Sequence, residues 1–174
     1  MKVLYSDDPA FTGNEGIFLA GPTPRDKEVK SWRPEAIQIL SYLGFEGTVL
    51  VPEHKGNNPM ADYTGQVEWE YEGLNRASVI AFWIPRNLAT MPALTTNVEF
   101  GYYLALASTW TYNEDAEIQD HVYRIIYGRP SDSPKNRYLD WLYSKVYPYC
   151  KPENTLQGTM EWAISAYNME HLGD

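Results

Sequence analysis

Ser78-Val79-Ile80-Ala81-Phe82-Trp83-Ile84 carries no charge from end to end and is halted by Pro85. Such a run, rich in β-branched and aromatic residues and closed by a turn former, reads as a strand buried on both faces. Working outward, Gly16-Ile17-Phe18-Leu19-Ala20 stops at Gly21-Pro22, and Thr48-Val49-Leu50-Val51 stops at Pro52. His121-Val122-Tyr123-Arg124-Ile125-Ile126-Tyr127, ending at Gly128, gives a fourth strand, and Lys2-Val3-Leu4-Tyr5 a weaker edge strand. Helical periodicity fills the intervals. From Asp26 to Leu43, apolar residues recur three and four apart, at Val29, Trp32, Ala36, Ile39, Leu40 and Leu43. Pro34 moves the start of that helix toward Ser31, with Ser31 or Trp32 as the cap. Gln66–Arg76, Asn97–Ser108, Asn136–Tyr147 and Leu156–His171 read as four further helices. Strands alternating with helices define βαβ units with right-handed crossovers, so a mostly parallel five-stranded sheet covered on both faces is expected. No repeat or linker interrupts the pattern, which predicts one α/β domain over residues 1–174.

Composition narrows the functional class. The 174 residues include 14 Lys plus Arg and 23 Asp plus Glu, a formal net charge of −9. No basic run is present, which argues against a nucleic-acid polymer or an anionic membrane as partner. No apolar stretch approaches the ~20 residues that span a bilayer. The first residues, Met1-Lys2-Val3-Leu4-Tyr5-Ser6-Asp7-Asp8, lack the pattern of a signal peptide, and the single cysteine, Cys150, cannot form an internal disulfide. A cytoplasmic location is expected.

In parallel sheets, ligands bind where strands end at their carboxyl edge. That directs attention to Gly21-Pro22-Thr23-Pro24-Arg25, Pro52-Glu53-His54, the chain from Pro85-Arg86, and Gly128-Arg129-Pro130-Ser131-Asp132-Ser133. Neither a Gly-rich phosphate loop nor a Gly-x-Ser-x-Gly elbow occurs, and His54, His121 and His171 are too scattered for zinc. Acid–base chemistry falls to carboxylates or tyrosines. Arg25, Arg129, Ser131 and Ser133 can hold a phosphate or a sugar hydroxyl, or simply serve turns and solvent. Trp32, Tyr63, Trp69 and Trp83 can stack on a nucleobase or pack the core.

Two carboxylates stand out. Thr96-x-x-Glu99 matches a helix capping box, a purely structural use. The same helix N-terminus favours the ionised form, so Glu99 is expected to be a carboxylate at neutral pH, suited to attack on an electrophilic sugar carbon. Gly101 nearby permits close approach or packs against a neighbour. In the preceding helix, Val67, Tyr71 and Leu74 define a buried stripe at i, i+4 and i+7, and Glu70 falls on it at i+3. Glu70 there either handles a proton or reaches solvent at the stripe's rim. One ionised nucleophile and one proton-handling group is the division of labour that glycosyl transfer needs.

Phe18-Leu19-Ala20-Gly21-Pro22, Trp69-Glu70 ahead of Ala77 to Arg86, and Thr95-Thr96-Asn97-Val98-Glu99-Phe100-Gly101 together resemble the nucleoside 2-deoxyribosyltransferase-like family. Gly128-Arg129-Pro130 followed by Asn136-Arg137-Tyr138-Leu139-Asp140 extends the resemblance, which spans about Gly16 to Tyr143. It implies a flavodoxin-like, Rossmann-like three-layer fold and cleavage of the N-glycosidic bond of a 2′-deoxynucleoside. It further implies that Glu99 forms a covalent deoxyribosyl intermediate, resolved by a second nucleobase or, in hydrolases of 5′-monophosphates, by water. A non-catalytic nucleotide sensor is the remaining alternative. Glu70 stands where the family usually places a base-contacting Asp, and Phe18 where many relatives carry a Tyr that orients the nucleophile. Gly21, Pro22, Arg25, Thr95, Asn97, Gly101, Arg129 and Ser131 become the substrate-binding candidates, with Asn97 positioning the sugar or capping the helix. The implied partners are a nucleoside or nucleotide and a free nucleobase, without metal or cofactor, in a homo-oligomer that shares its active site.

Overall fold

All five residues of the interior strand β4 (Val79–Trp83) are buried. Its side chains alternate between two cores: Ile80 and Phe82 enter one, Val79, Ala81 and Trp83 the other. Successive side chains of a strand point to opposite faces, so both faces of the sheet must be covered. The computed structural model describes residues 1–13, 16–26, 28–55, 63–110 and 124–171. Around β4, in chain order, lie β1 (Lys2–Tyr5), β2 (Ile17–Ala20), α1 (Arg33–Tyr42), β3 (Thr48–Val51) and α2 (Tyr63–Arg76). After it come α3 (Leu94–Trp110), β5 (Arg124–Gly128), α4 (Arg137–Val146) and α5 (Leu156–His171).

The five strands pair in the order β1-β3-β2-β4-β5, and every pairing is parallel. Trp32, Ala36 and Leu40 of the α1 region pack with Leu156, Met160, Ala163 and Ala166 of α5 on one face. Trp69, Leu74, Phe100, Tyr103, Leu104, Leu139 and Tyr143, from α2, α3 and α4, cover the other. The result is the three-layer α/β, flavodoxin-like arrangement expected from the strand and helix alternation. The chain leaves β2 through α1 to one neighbouring strand and later returns through α2 to the other, so a crevice opens at the carboxyl ends of β2 and β4.

The start of α1 meets the sequence expectation, whereas α2 begins at Tyr63, before the expected Gln66, and other boundaries also differ. α1 begins at Arg33 with Trp32 in the cap position, and Ser31 Oγ accepts the Arg33 backbone N–H at 3.2 Å. The expected start of the last strand at His121 to Tyr123 lies outside the described residues. α3 begins at Leu94, three residues before the expected Asn97. No helix among the described residues is long and apolar enough to cross a membrane.

Gly21 closes β2 with φ +147°, in the region that favours glycine. A Cβ at this point would overlap the Trp83 carbonyl oxygen and lie 2.8 Å from the Trp32 ring. Backbone from β4 and a packed indole leave it no room. Gly21→Ala is expected to destabilise the protein by about 3 kcal/mol or more, read as a lower urea midpoint at unchanged slope. An unaltered midpoint would show that this close approach is not required.

Candidate active site

The crevice is built on a buried cation. Arg33, at the first position of α1, is 1% exposed. Its Nε donates to the Leu19 carbonyl at 3.0 Å, Nη2 to the Gly21 carbonyl at 2.7 Å, and Nη1 to Thr23 Oγ1 at 3.0 Å. Nη1 also donates to Glu53 Oε1 at 2.6 Å, and Ser31 Oγ donates to the same oxygen at 2.8 Å. Glu53, two residues past the end of β3, is itself buried. A buried guanidinium needs both a counter-charge and hydrogen-bond acceptors. Meeting that need fixes the ends of β2 and β3 against the start of α1.

A second buried arginine sets the start of α3. Arg86 Nη1 donates to the Pro92 carbonyl at 2.6 Å, and Nη2 to Asn97 Oδ1 at 2.7 Å. Its Nε and Nη2 share Asn136 Oδ1 at 3.1 and 3.0 Å. Ser133 Oγ accepts the Arg86 backbone N–H at 2.9 Å and donates to the Ile84 carbonyl at 2.9 Å. Ala93 adopts φ +59°, and its carbonyl accepts the first helical bond from the Asn97 N–H at 3.1 Å. The helix therefore starts early. Thr96 lies inside the first turn and Glu99 in the second, so the expected capping box does not form.

A cavity of about 520 Å³ opens between these clamps, within the range of small-molecule sites. Glu70 from α2 and Glu99 from α3 both line it, as do Phe18, Gly21, Pro22, Thr23, Arg25 and Arg33. Val67, Tyr71 and Leu74 of α2 line it too, so the face expected to be a buried stripe looks onto a cavity instead. Tyr71 and Val67 stay 56% and 44% exposed at its rim, and the helix buries Trp69 and Leu74.

The carboxyls differ in their partners. Gln66 Nε2 donates to Glu70 Oε1 at 2.8 Å. Glu99 makes no hydrogen bond or ion pair among the described residues. Burial pushes the Glu99 carboxyl from an ordinary 4.5 up to about 7, the Glu70 charge adds to that rise, and Arg33 opposes it. Burial also raises Glu70, against the Gln66 hydrogen bond and Arg33. Burial thus works against the ionised form that the helix N-terminus was expected to favour at Glu99. The macrodipole acts within the first turn, and Glu99 sits beyond it in a poorly solvated wall.

Of the other candidates, Gly21, Pro22, Arg25 and Thr95 line the cavity, whereas Asn97, Gly101, Arg129 and Ser131 do not. Asn97 accepts from Arg86 instead of meeting a ligand. Gly101 faces open space: a Cβ there would meet no described atom within 4 Å. Arg129 is held by Asp140 through Nε at 2.9 Å and Nη2 at 2.7 Å, and Ser131 is exposed. Of the possible stacking residues, Trp32, Trp69 and Trp83 belong to the cores, while the Tyr63 side chain lies outside the described set. The aromatic wall comes from Phe18, Tyr71, Tyr102 and Tyr103. Sequence reading missed Arg33 altogether. Its signal was a basic residue in the first turn of a helix, where the macrodipole disfavours it, which implies a tertiary partner.

The sequence profile of the nucleoside 2-deoxyribosyltransferase like family matches residues 14–112, more than half of the chain. The protein belongs to this family. Membership supports a glycosyl-transfer or N-glycosidase type of activity and a nucleoside-modifying enzyme. None of the curated proteins compared matches the chain.

The raised Glu99 carboxyl has a consequence for stability. Between pH 4.5 and about 7 the folded state holds a proton that the unfolded state has released, so this group's contribution declines as pH rises through that window. Glu99→Gln removes the penalty. The variant is expected to exceed the parent protein by about 1–3 kcal/mol at pH 8 and to match it near pH 4, in urea unfolding at the two pH values. Equal stability at pH 8 would place Glu99 in solvent.

Proposed function

We propose that the protein cleaves the N-glycosidic bond of 2′-deoxynucleosides and transfers the deoxyribosyl group between nucleobases through an ester on Glu99. The observation that carries this reading is the meeting of Glu70 and Glu99 in one cavity, with the Glu99 oxygens unpartnered among the described residues. Their mutual repulsion and shared burial favour a single proton between them, titrating as a pair. With that proton on Glu70, the Glu99 carboxylate attacks C1′ as the C1′–N bond breaks. The bond's electrons pass to the base, whose nitrogen takes the Glu70 proton. A second base then attacks C1′, breaks the ester, restores the Glu99 carboxylate and returns its proton to Glu70. Two displacements give retention. Without an electron-withdrawing 2′-hydroxyl, the oxocarbenium-like transition state is reached with a positioned carboxylate and help for the leaving base.

The base is taken to stack against the aromatic wall. Thr95, Gly21 and Pro22 shape the sugar end. Arg25 favours a second reading, hydrolysis of deoxynucleoside 5′-monophosphates: it lines the cavity, and its side chain has no partner among the described residues. Exposed Leu94, Val98 and Tyr102 on α3, 61%, 72% and 51% accessible beside the same cavity, fit a homo-oligomer in which a neighbour closes the site. A cytoplasmic role in nucleotide salvage completes the reading.

Incubation with each deoxynucleoside or its 5′-monophosphate, with and without a second base, separates the possibilities by chromatography. Base exchange is expected; free deoxyribose or its phosphate would mean hydrolysis, and binding without product would reject catalysis. Glu99→Ala is expected to lower turnover about 10³-fold or more and to abolish a deoxyribosyl adduct in mass spectra of acid-quenched protein. Turnover at the parent rate would remove Glu99 from the reaction. Glu70→Gln is expected to slow poor leaving bases most, and a small uniform loss would exclude it from the proton path.

A further inference from the structure

We propose that Arg33 is a positioning residue for the chemistry at Glu99: its clamped guanidinium supplies the positive charge against which the two cavity carboxyls are balanced. The proposal rests on reading Glu99 as the nucleophile. Arg33 takes part in the cavity wall although it is almost fully buried. Four of its five N–H groups have acceptors, on Leu19, Gly21, Thr23 and Glu53, and one on Nη2 has none among the described residues. An arginine serving the fold alone would complete its set, because a buried donor left over is costly.

The described titratable groups on this cavity are Arg25 after β2, Arg33 of α1, Glu70 and Tyr71 of α2, and Glu99, Tyr102 and Tyr103 of α3. Two of them are cations. Arg25 is exposed, so solvent and salt screen it. Arg33 is not, and its charge acts across a poorly solvated space. Both carboxyls feel it, in the direction that favours their ionised forms. Glu53, bonded to Arg33 from the end of β3, fixes the guanidinium in place and partly offsets its charge. The proposal therefore expects the two members of this ion pair to move Glu99 in opposite directions, Arg33 favouring its ionised form and Glu53 opposing it.

That opposition is the test. Carbon-13 labelling of glutamate side chains in the full chain allows the Glu99 carboxyl to be titrated by NMR in the empty protein, assigned by its loss in Glu99→Gln. Arg33→Gln is expected to raise the Glu99 midpoint by about one pH unit, and Arg33→Lys to bring it most of the way back. Glu53→Gln, which leaves the cation without its counter-charge, is expected to lower the midpoint. If folded Arg33→Gln titrates like the parent protein, the proposal fails. Should that variant not fold, Glu53→Gln decides alone: a lower midpoint supports the proposal, and an unchanged or higher one overturns it. Absence of turnover in the parent protein would reject the transfer reading while leaving the titration intact, so the two failures are distinguishable.

Discussion

A guanidinium cannot enter a protein interior without acceptors and a counter-charge, and Arg33 obtains both only where the ends of β2 and β3 meet α1. Its four hydrogen bonds reach Leu19, Gly21, Thr23 and Glu53. Removing any one partner would leave a buried polar group unpaired, at a cost of about 1–3 kcal/mol or more for a charged group. A buried ion pair seldom adds net stability over apolar packing. Its value here is geometric: the strand ends that shape the cavity are held at one distance from the helix that flanks them.

Arg86 does for α3 what Arg33 does for β2. By holding the Pro92 carbonyl, Asn97 and Asn136 together, it ties the loop after β4 to the starts of two helices. Ala93 is held in a left-handed conformation that a non-glycine residue seldom adopts. The early helix start fixes the rotational phase of α3, turning Glu99 toward Glu70 and leaving Phe100 in the core between Phe82 and Tyr127. The phase serves both packing and site.

Those carboxyls are placed at some expense to the fold. Burial opposes the charge of both, Glu70 opposes that of Glu99, and Arg33 offsets part of the effect on each. Groups whose environments push against their ordinary ionisation are typical of reacting sites, where a poised proton matters more than local stability. The family match covers residues 14–112, and every residue of the cavity wall, Glu70 and Glu99 included, lies inside that span.

The layered fold was legible from the order of residues. Uninterrupted apolar runs such as Val79 to Ile84 can be satisfied only inside a parallel sheet, and the apolar spacing of α5 only against one of its faces. That Glu70 and Glu99 would reach one crevice was legible too: Glu70 falls on the apolar stripe of α2, and Glu99 lies near the start of the helix that follows β4. Which groups surround them emerged only on folding. Asn97 and Arg129 looked like ligand contacts but are taken by Arg86 and Asp140, partners 11 residues distant in each case. Val67 and Tyr71 looked like core, and they face a cavity. The surroundings of Glu99 were hidden for the same reason: local helix position points to the macrodipole alone, whereas the field it feels also comes from Glu70, Arg33 and the exclusion of water. Periodicity records which residues avoid water, a local property; electrostatic environment is a sum over neighbours that are brought together by folding.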